Sequence, residues 1–532
     1  MYDQQAVWVG SSGDKHCTLR LKQANRHGLI AGATGTGKTV TLKVMAESFS
    51  DAGVPVFLAD VKGDLAGMCR PGEDSADMQA RIARFGLQEA GFRYRAYPTE
   101  FWDIFGKQGL PLRTTVSEFG PLLFARLLDL NKIQSDLLEI IFRIADEEGL
   151  LLLDMKDLKS MVRYVEENAD AYREQYGNIG KSSTGAILRA LVALEGKGGA
   201  QFFGEPALQI SDWMRVDADG RGYVNILDST SLIQDPSIYS TFMLWMLNEL
   251  FTELPEAGDL EKPKMVFFFD EAHLLFDNAP KTLLDKIEQV VKLIRSKGVG
   301  VYFITQNPSD IPGGVLAQLG NKVQHALRAY TPAEQKGVKA AAESFRKNPD
   351  FDTATALQEL KTAEALVSFL DEGGAPEEVQ IASILPPQSK FGALDAITRQ
   401  AAILASGLRD KYAEEVDRES AYELLLQRVD EQAAAAAKAK EEAEAEKQAA
   451  KEAAAAAKQA EKEAAAAARE EKKKAAQQKR IFASIGGSVT GTIGREVGKQ
   501  LGKSAGGSFG KQLGGNVGAS LGRGILKTLL KF

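Results

Sequence analysis

Short apolar runs mark the first 95 residues, and they return after residue 220. Leu29–Ala31 and Val54–Ala59 belong to the first stretch. Tyr223–Leu227, Met265–Phe269, Val299–Thr305, Val323–Leu327 and Ala365–Leu370 belong to the second. Such runs, alternating with helical patterns and Gly-rich turns, predict buried strands of a parallel α/β sheet. Between about 96 and 215 the period lengthens. Ile133, Leu137, Ile140, Ile141 and Ile144 share one helical face, and Leu158, Met161, Val162 and Val165 repeat the spacing, which predicts helices. The simplest arrangement is one α/β domain in two parts, 1–95 and 220–395, with an all-α insertion over 96–215 and a helical connector at 396–430.

Beyond residue 400 the pattern changes twice. Residues 431–480 hold 23 Ala among 50, the rest being Glu, Lys, Arg and Gln, with no Pro or Gly. These are the strongest helix formers, and no a/d apolar seam runs through them, so a long solvated helix or semi-rigid spacer is predicted. Residues 481–532 follow a four-residue repeat: Gly494, Gly498, Gly502, Gly506, Gly510, Gly514, Gly518 and Gly522, each preceded by an apolar or small residue such as Ile493, Val497, Leu501 or Phe509. Small residues at that interval let helices pack closely, and Lys499, Lys503, Lys511, Arg523, Lys527 and Lys531 add attraction to anionic lipid. Homotypic helix packing or membrane contact is the expectation for this segment, and a flexible Gly-rich tail is the alternative.

The 532 residues are 44% hydrophobic and 26% charged. That composition excludes disordered, collagenous and disulfide-framework chains. Cys17 and Cys69 are the only cysteines and form no C-x-x-C pair, so no thiolate zinc site is expected. The first residues lack the basic-then-apolar order of a signal peptide, and no run nears the roughly 20 apolar residues that span a bilayer. A cytoplasmic protein is expected, with peripheral membrane association left to the tail. The net charge of −7 divides into +2 over 431–480, +6 over 481–532 and −15 over 1–430. An acidic body confines any nucleic-acid contact to a local patch or channel.

Gly32-Ala33-Thr34-Gly35-Thr36-Gly37-Lys38-Thr39 satisfies G-x-x-x-x-G-K-[ST] in full. About 0.02 chance matches are expected at ordinary composition in a chain of this length. Its glycines let successive N–H groups face phosphate oxygens, Lys38 reaches the β- and γ-phosphates, and the Thr39 hydroxyl is a ligand for Mg²⁺. The following helix, expected over Val40–Phe49, points its positive end at the phosphates.

A phosphate loop calls for a carboxylate site, and the strand Met265–Phe269 ends in Asp270 and Glu271. Asp270 is expected to hold Mg²⁺ and Glu271 to polarise the attacking water as general base. Asp270-Glu271-Ala272-His273 spells a helicase box, but the Ser-Ala-Thr and Q-x-x-G-R-x-x-R motifs of those helicases do not occur here, so the match reads as coincidence. Gly180-Lys181-Ser182 fails the loop spacing, because residue 175 is Gln; it reads as a helix start. Gln306 closes the strand Val301–Thr305, at the sheet edge where ligands gather, and is a candidate sensor of the γ-phosphate. Arg295 is a candidate arginine finger with Arg328 in reserve. Asp60, Lys62 and Asp64 form a further polar cluster at that edge.

These motifs carry a family resemblance. His27-Gly28-Leu29-Ile30-Ala31-Gly32, Asp60-Val61-Lys62-Gly63-Asp64-Leu65, Phe269–His273 and Thr305-Gln306-Asn307-Pro308-Ser309-Asp310-Ile311-Pro312 resemble the HerA/FtsK clade of P-loop ATPases. Trp102–Gly106, Gly120–Leu123 and Phe202–Pro206 narrow the likeness to the bacterial HerA-like family, over roughly residues 5–395. The resemblance implies a RecA-like sheet and ATP with Mg²⁺ as ligands. It also implies a homo-oligomeric ring, commonly a hexamer, hydrolysing ATP at subunit junctions, with Arg295 acting on a neighbour's nucleotide. A motor on DNA, a translocase or helicase-like ATPase, is the leading expectation. A membrane-tethered or secretion-type ATPase acting on protein, and a slow nucleotide-switched scaffold, stay open as alternatives.

Overall fold

The structure is a computed structural model describing residues 2–483 except 4, 278 and 280. The Gly-repeat tail from residue 484 onward lies outside the described residues. Among the described residues thirteen strands form one sheet: β1 Tyr2–Asp3, β2 Ala6–Ser12, β3 Lys15–Arg20, β4 Gly28–Ala31, β5 Val56–Asp60, β6 Thr99–Asp103, β7 Leu110–Pro111, β8 Val224–Asp228, β9 Met265–Phe269, β10 Val299–Thr305, β11 Asn321–His325, β12 Glu364–Ser368 and β13 Gln380–Ile384. In space β11, β4, β10, β9, β5, β8, β6 and β7 run side by side in parallel. Past β11 the sheet turns antiparallel through β12, β13 and β2, and β2 also pairs with β1 and β3. This is the mostly parallel α/β sheet expected of a P-loop fold.

The central strands are apolar without alternation because both faces are covered. Along β9 and β10, Phe267, Phe269, Val301 and Phe303 enter one core, while Val266, Phe268, Tyr302 and Ile304 enter the other. The second core takes Leu42, Met45 and Phe49 from the helix Lys38–Asp51. The first takes the apolar faces of Lys132–Glu147, Met155–Glu167, Pro236–Glu253 and Lys281–Ile294.

The helical region begins at Val116, not at residue 96. Before it, β6 and β7 extend the parallel sheet beside β8. Acids buried in β6 hide that strand from a pattern search: Glu100 pairs with Arg215 at 2.6 Å, and Asp103 accepts from the N–H groups of Phe105, Lys107 and Gln108. Thereafter the helices start at capping boxes on Thr115, Asn131 and Asp154. Leu137, Ile141 and Ile144 are buried as the period predicts, but Ile133, in the first turn, is 71% exposed. Lys181 does begin a helix, Lys181–Leu194.

The described residues divide into two units, with the boundary between Asp430 and Glu431. The long Ala-rich helix is continuous from Ala421 to Ala483, 63 residues. It starts ten residues before the Ala-rich stretch because Ser420 and Glu423 cap it, Ser420 Oγ donating to Glu423 Oε2 at 2.7 Å and Glu423 accepting the Ser420 N–H. Its residues from 431 to 478 are exposed. Among the described residues no helix is long and apolar enough to cross a membrane.

Candidate active site

The loop 32–37 leaves the end of β4 and delivers Lys38 and Thr39 into the first turn of the helix Lys38–Asp51. Gly37 sits at φ +114°, a left-handed position that lets the chain swing into the helix without a Cβ penalty. Gly32 meets a different demand: a Cβ there would lie 2.5 Å from the Cβ of His325. Backbone bonds fix the loop on both sides. Gly32 N donates to Thr305 O, Ala33 N to Ala326 O at 2.9 Å, and Ala363 N to Thr36 O at 3.0 Å. The Thr36 hydroxyl donates to Ala33 O at 2.7 Å.

Lys38 Nζ donates to the carbonyls of Gly32 and Ala33 at 2.6 and 3.1 Å. Burial, and then the charge of Lys62, pulls its ammonium below the ordinary value, while Glu271 and Asp270 oppose that shift. Loop lysine, Lys62 and both acids therefore share one electrostatic field. Register explains the convergence. Thr305 of β10 pairs with Ala31 of β4, and Phe303 pairs with Phe269 of β9. Gly32, Gln306 and Asp270 consequently emerge side by side at the carboxyl ends of three adjacent strands, the ligand edge of a parallel sheet.

Asp270 is partly buried at the tip of β9. Burial, then the neighbouring Glu271, raises its carboxyl to about 7, against the pull of Lys62 and Lys38. Its Oδ1 accepts the Glu271 N–H at 2.9 Å, and its carbonyl accepts the Tyr239 hydroxyl at 2.6 Å. Glu271 adopts φ +48°. Gln306 is exposed beyond Thr305, and Asn307 turns the chain by accepting the Ser309 N–H. The Thr39 hydroxyl and the Asp270 carboxylate are hard oxygen donors of the kind Mg²⁺ takes alongside phosphate and water, so the residues present fit that ion.

Not every candidate joins this cluster. Arg295 opens the turn before β10, its guanidinium 4.0 Å from Asp259. It lies at the opposite edge of the sheet from Gln306, separated by a seven-residue strand about 23 Å long. Arg328 stands on the loop side, two residues after Ala326, and its guanidinium donates to Gln358 O and to Leu360 O. Asp60 accepts the N–H groups of Asp64 and Leu65 at 3.0 and 3.1 Å, and burial, then Asp64, raises it to about 6. It shapes the turn at the tip of β5.

Sequence reasoning missed His325. Its Nδ1 lies 3.0 Å from Glu364 O and its Nε2 lies 2.8 Å from Thr41 Oγ1. A carbonyl only accepts, so the proton belongs on Nδ1 and Nε2 accepts from the threonine. Burial drives the imidazole down to about 4, so the group bracing the phosphate loop is neutral. A single His at a strand end gives no sequence signal for that role. Tyr239, which holds the Asp270 carbonyl from the helix Pro236–Glu253, was equally silent.

The arrangement can seat a triphosphate against backbone N–H groups and a lysine, and present a carboxylate to a water beside it. The family described as "Helicase HerA-like C-terminal" matches residues 6–513. The DNA double-strand break repair helicase HerA of Sulfolobus acidocaldarius is 21% identical over 366 residues, which cover 66% of this chain and 63% of that protein. The chain thus spans less than two thirds of that relative's length. Among solved structures, VirB4 of Thermoanaerobacter pseudethanolicus aligns with a TM-score of 0.47 at 17% identity, covering 72% of this chain and 97% of that one. The bacterial conjugative coupling protein TrwBdeltaN70 aligns at 0.45 and 16%, covering 74% and 91%.

Proposed function

We propose that this chain, which belongs to the helicase HerA-like C-terminal family, is an ATP-hydrolysing motor acting on DNA as a translocase or helicase-like ATPase. One observation carries the proposal: the phosphate loop, the Asp270–Glu271 tip and Gln306 stand together at one sheet edge. The loop N–H groups and Lys38 bind the β- and γ-phosphates, the lysine leaving the carbonyls of Gly32 and Ala33. Thr39 and Asp270 would hold Mg²⁺, which supplies neutralising charge to the phosphates. Glu271 accepts a proton from the attacking water as the water oxygen bonds to the γ-phosphorus. The bond from that phosphorus to the bridging oxygen breaks, and its electron pair leaves with ADP. Gln306 meets the γ-phosphate or the water and carries the change into β10.

Arg295 cannot serve its own site from the far edge, which supports a role on a neighbour's nucleotide in a homo-oligomer, with a hexamer as the ring. DNA as cargo is supported by the name of the Sulfolobus relative. The Gly-repeat segment then serves self-association or contact with an anionic membrane surface, and the working compartment is the cytoplasm. Truncation after Lys479 is expected to leave ATP turnover intact and to lower self-association or co-sedimentation with anionic vesicles.

The test is ATP turnover by the full chain alone, with duplex DNA, with single strands and with vesicles, oligomer mass being measured in parallel. Stimulation by duplex DNA in an oligomer is the expected result. Turnover indifferent to nucleic acid and raised by vesicles would overturn the DNA reading.

A further inference from the structure

Two polar atoms in the turn after β9 are buried without a hydrogen-bond partner: Glu271 Oε2 and His273 Nδ1. They face each other at 3.5 Å, a few tenths of an ångström beyond hydrogen-bond length. On a regular helix, side chains two residues apart point to different sides. Here the left-handed backbone at Glu271, φ +48°, turns its side chain to the side of His273.

That conformation is unfavourable for a residue other than Gly, Asn or Asp, and it persists because the turn is bonded from several directions. Ala272 N donates to Ile304 O at 2.8 Å, Leu274 N to Glu271 O at 3.0 Å, and Glu271 N to Asp270 Oδ1. A strained, closely tied backbone thus aims a carboxylate at an imidazole and leaves the last bond open. Leaving both atoms unpaired costs free energy, and closing the gap recovers it.

We propose that His273 is a positioning residue for Glu271. With its proton on Nδ1 it donates to Glu271 Oε2 when nucleotide and water are in place, leaving Oε1 to face the water. His273 itself touches neither phosphate nor water. The tetrad Asp270–His273, which lacks its companion helicase motifs, thereby has a local geometric reason. The inference rests on Glu271 being the general base, and Glu271→Gln alone checks that premise before the His273 variants are read.

The experiment uses the full chain with three substitutions: His273→Leu, which keeps volume and removes the donor; His273→Asn, which keeps an N–H near the Nδ1 position; and Glu271→Gln, alone and combined with His273→Leu. His273→Leu is expected to lower kcat about 10- to 100-fold, with the KM for ATP and fluorescent-nucleotide affinity within about two-fold of wild type. His273→Asn should retain most of the rate. In the Glu271→Gln background His273→Leu should cost nothing further. An unchanged kcat in His273→Leu, an Asn variant as slow as the Leu variant, or a full additional loss on Glu271→Gln would each overturn the proposal. Thermal unfolding monitors the fold, and His273→Ala replaces the Leu variant if that one fails to fold. Turnover at the wild-type rate in Glu271→Gln alone would instead sink the assignment of Glu271.

Discussion

Lys38 rests on two neutral carbonyls, so in the proposed role phosphate would replace them with anionic oxygens and draw the lysine to the stronger acceptor. Lys38→Ala is therefore expected to lose nucleotide binding as well as turnover, measurable by titration with a fluorescent ATP analogue. His325 permits a pH experiment. Its imidazole is held down at about 4, against about 6.5 when unfolded. The unfolded chain binds the extra proton between those values, so this stabilising contribution is complete above pH 6.5 and is lost as pH falls toward 4. The stability of wild type relative to His325→Gln should drop by about 3 kcal/mol across that window. Urea unfolding of the pair at pH 7 and pH 4 checks it. Asp60 and Asp270, both raised, act in the opposite sense, and the difference between the two proteins cancels them. A constant difference would place His325 elsewhere than in the bonded, buried position described.

At the scale of elements, β9 and β10 were legible to the residue, because strands covered on both faces need unbroken apolar runs. The edge was not. β6 carries Glu100 and Asp103, whose partners come from residues 105–108 and 215, and β7 has two residues whose pairing exists only in the folded sheet. The strand expected at Val323–Leu327 lies two residues earlier, at Asn321–His325, where Asn321 is buried through bonds to the carbonyls of Gln23 and His27. That the loop 32–39 and the acids 270–271 close strands of one sheet was visible in the sequence because each motif follows an apolar run directly. The braces from His325 and Tyr239 were not, since they cross from distant segments. Glu47 is a brace of the same kind. From the helix behind the phosphate loop its buried carboxylate accepts the N–H groups of Gln388 and Ser389 at 2.8 and 3.0 Å. Glu47→Ala would strand both N–H groups and is expected to cost about 2–4 kcal/mol in urea unfolding. An unchanged midpoint would contradict that account of how residues 388–389 are held.

For the whole molecule, the edge-to-edge separation of Arg295 from Gln306 makes the finger a question of assembly. Arg295→Ala should bind ATP normally and hydrolyse about 10³–10⁵-fold more slowly. Mixed oligomers of Arg295→Ala and Lys38→Ala should regain activity, since some junctions then pair an intact loop with an intact arginine. Absence of rescue in verified mixed oligomers, with rescue by Arg328→Ala mixtures instead, would move the role to Arg328. That outcome would also fit the position of Arg328 on the loop side of the sheet.

In the proposed reaction Glu271 activates water at a site that Lys38 and the phosphate loop load with ATP. Rapid-quench single turnover of radiolabelled ATP, comparing wild type, Lys38→Ala and Glu271→Gln, tests it most directly. Phosphate release by wild type, no bound nucleotide in Lys38→Ala, and uncleaved ATP accumulating on Glu271→Gln at wild-type occupancy are the expected results. A Glu271→Gln protein that cleaves bound ATP at the wild-type rate would contradict the proposed reaction.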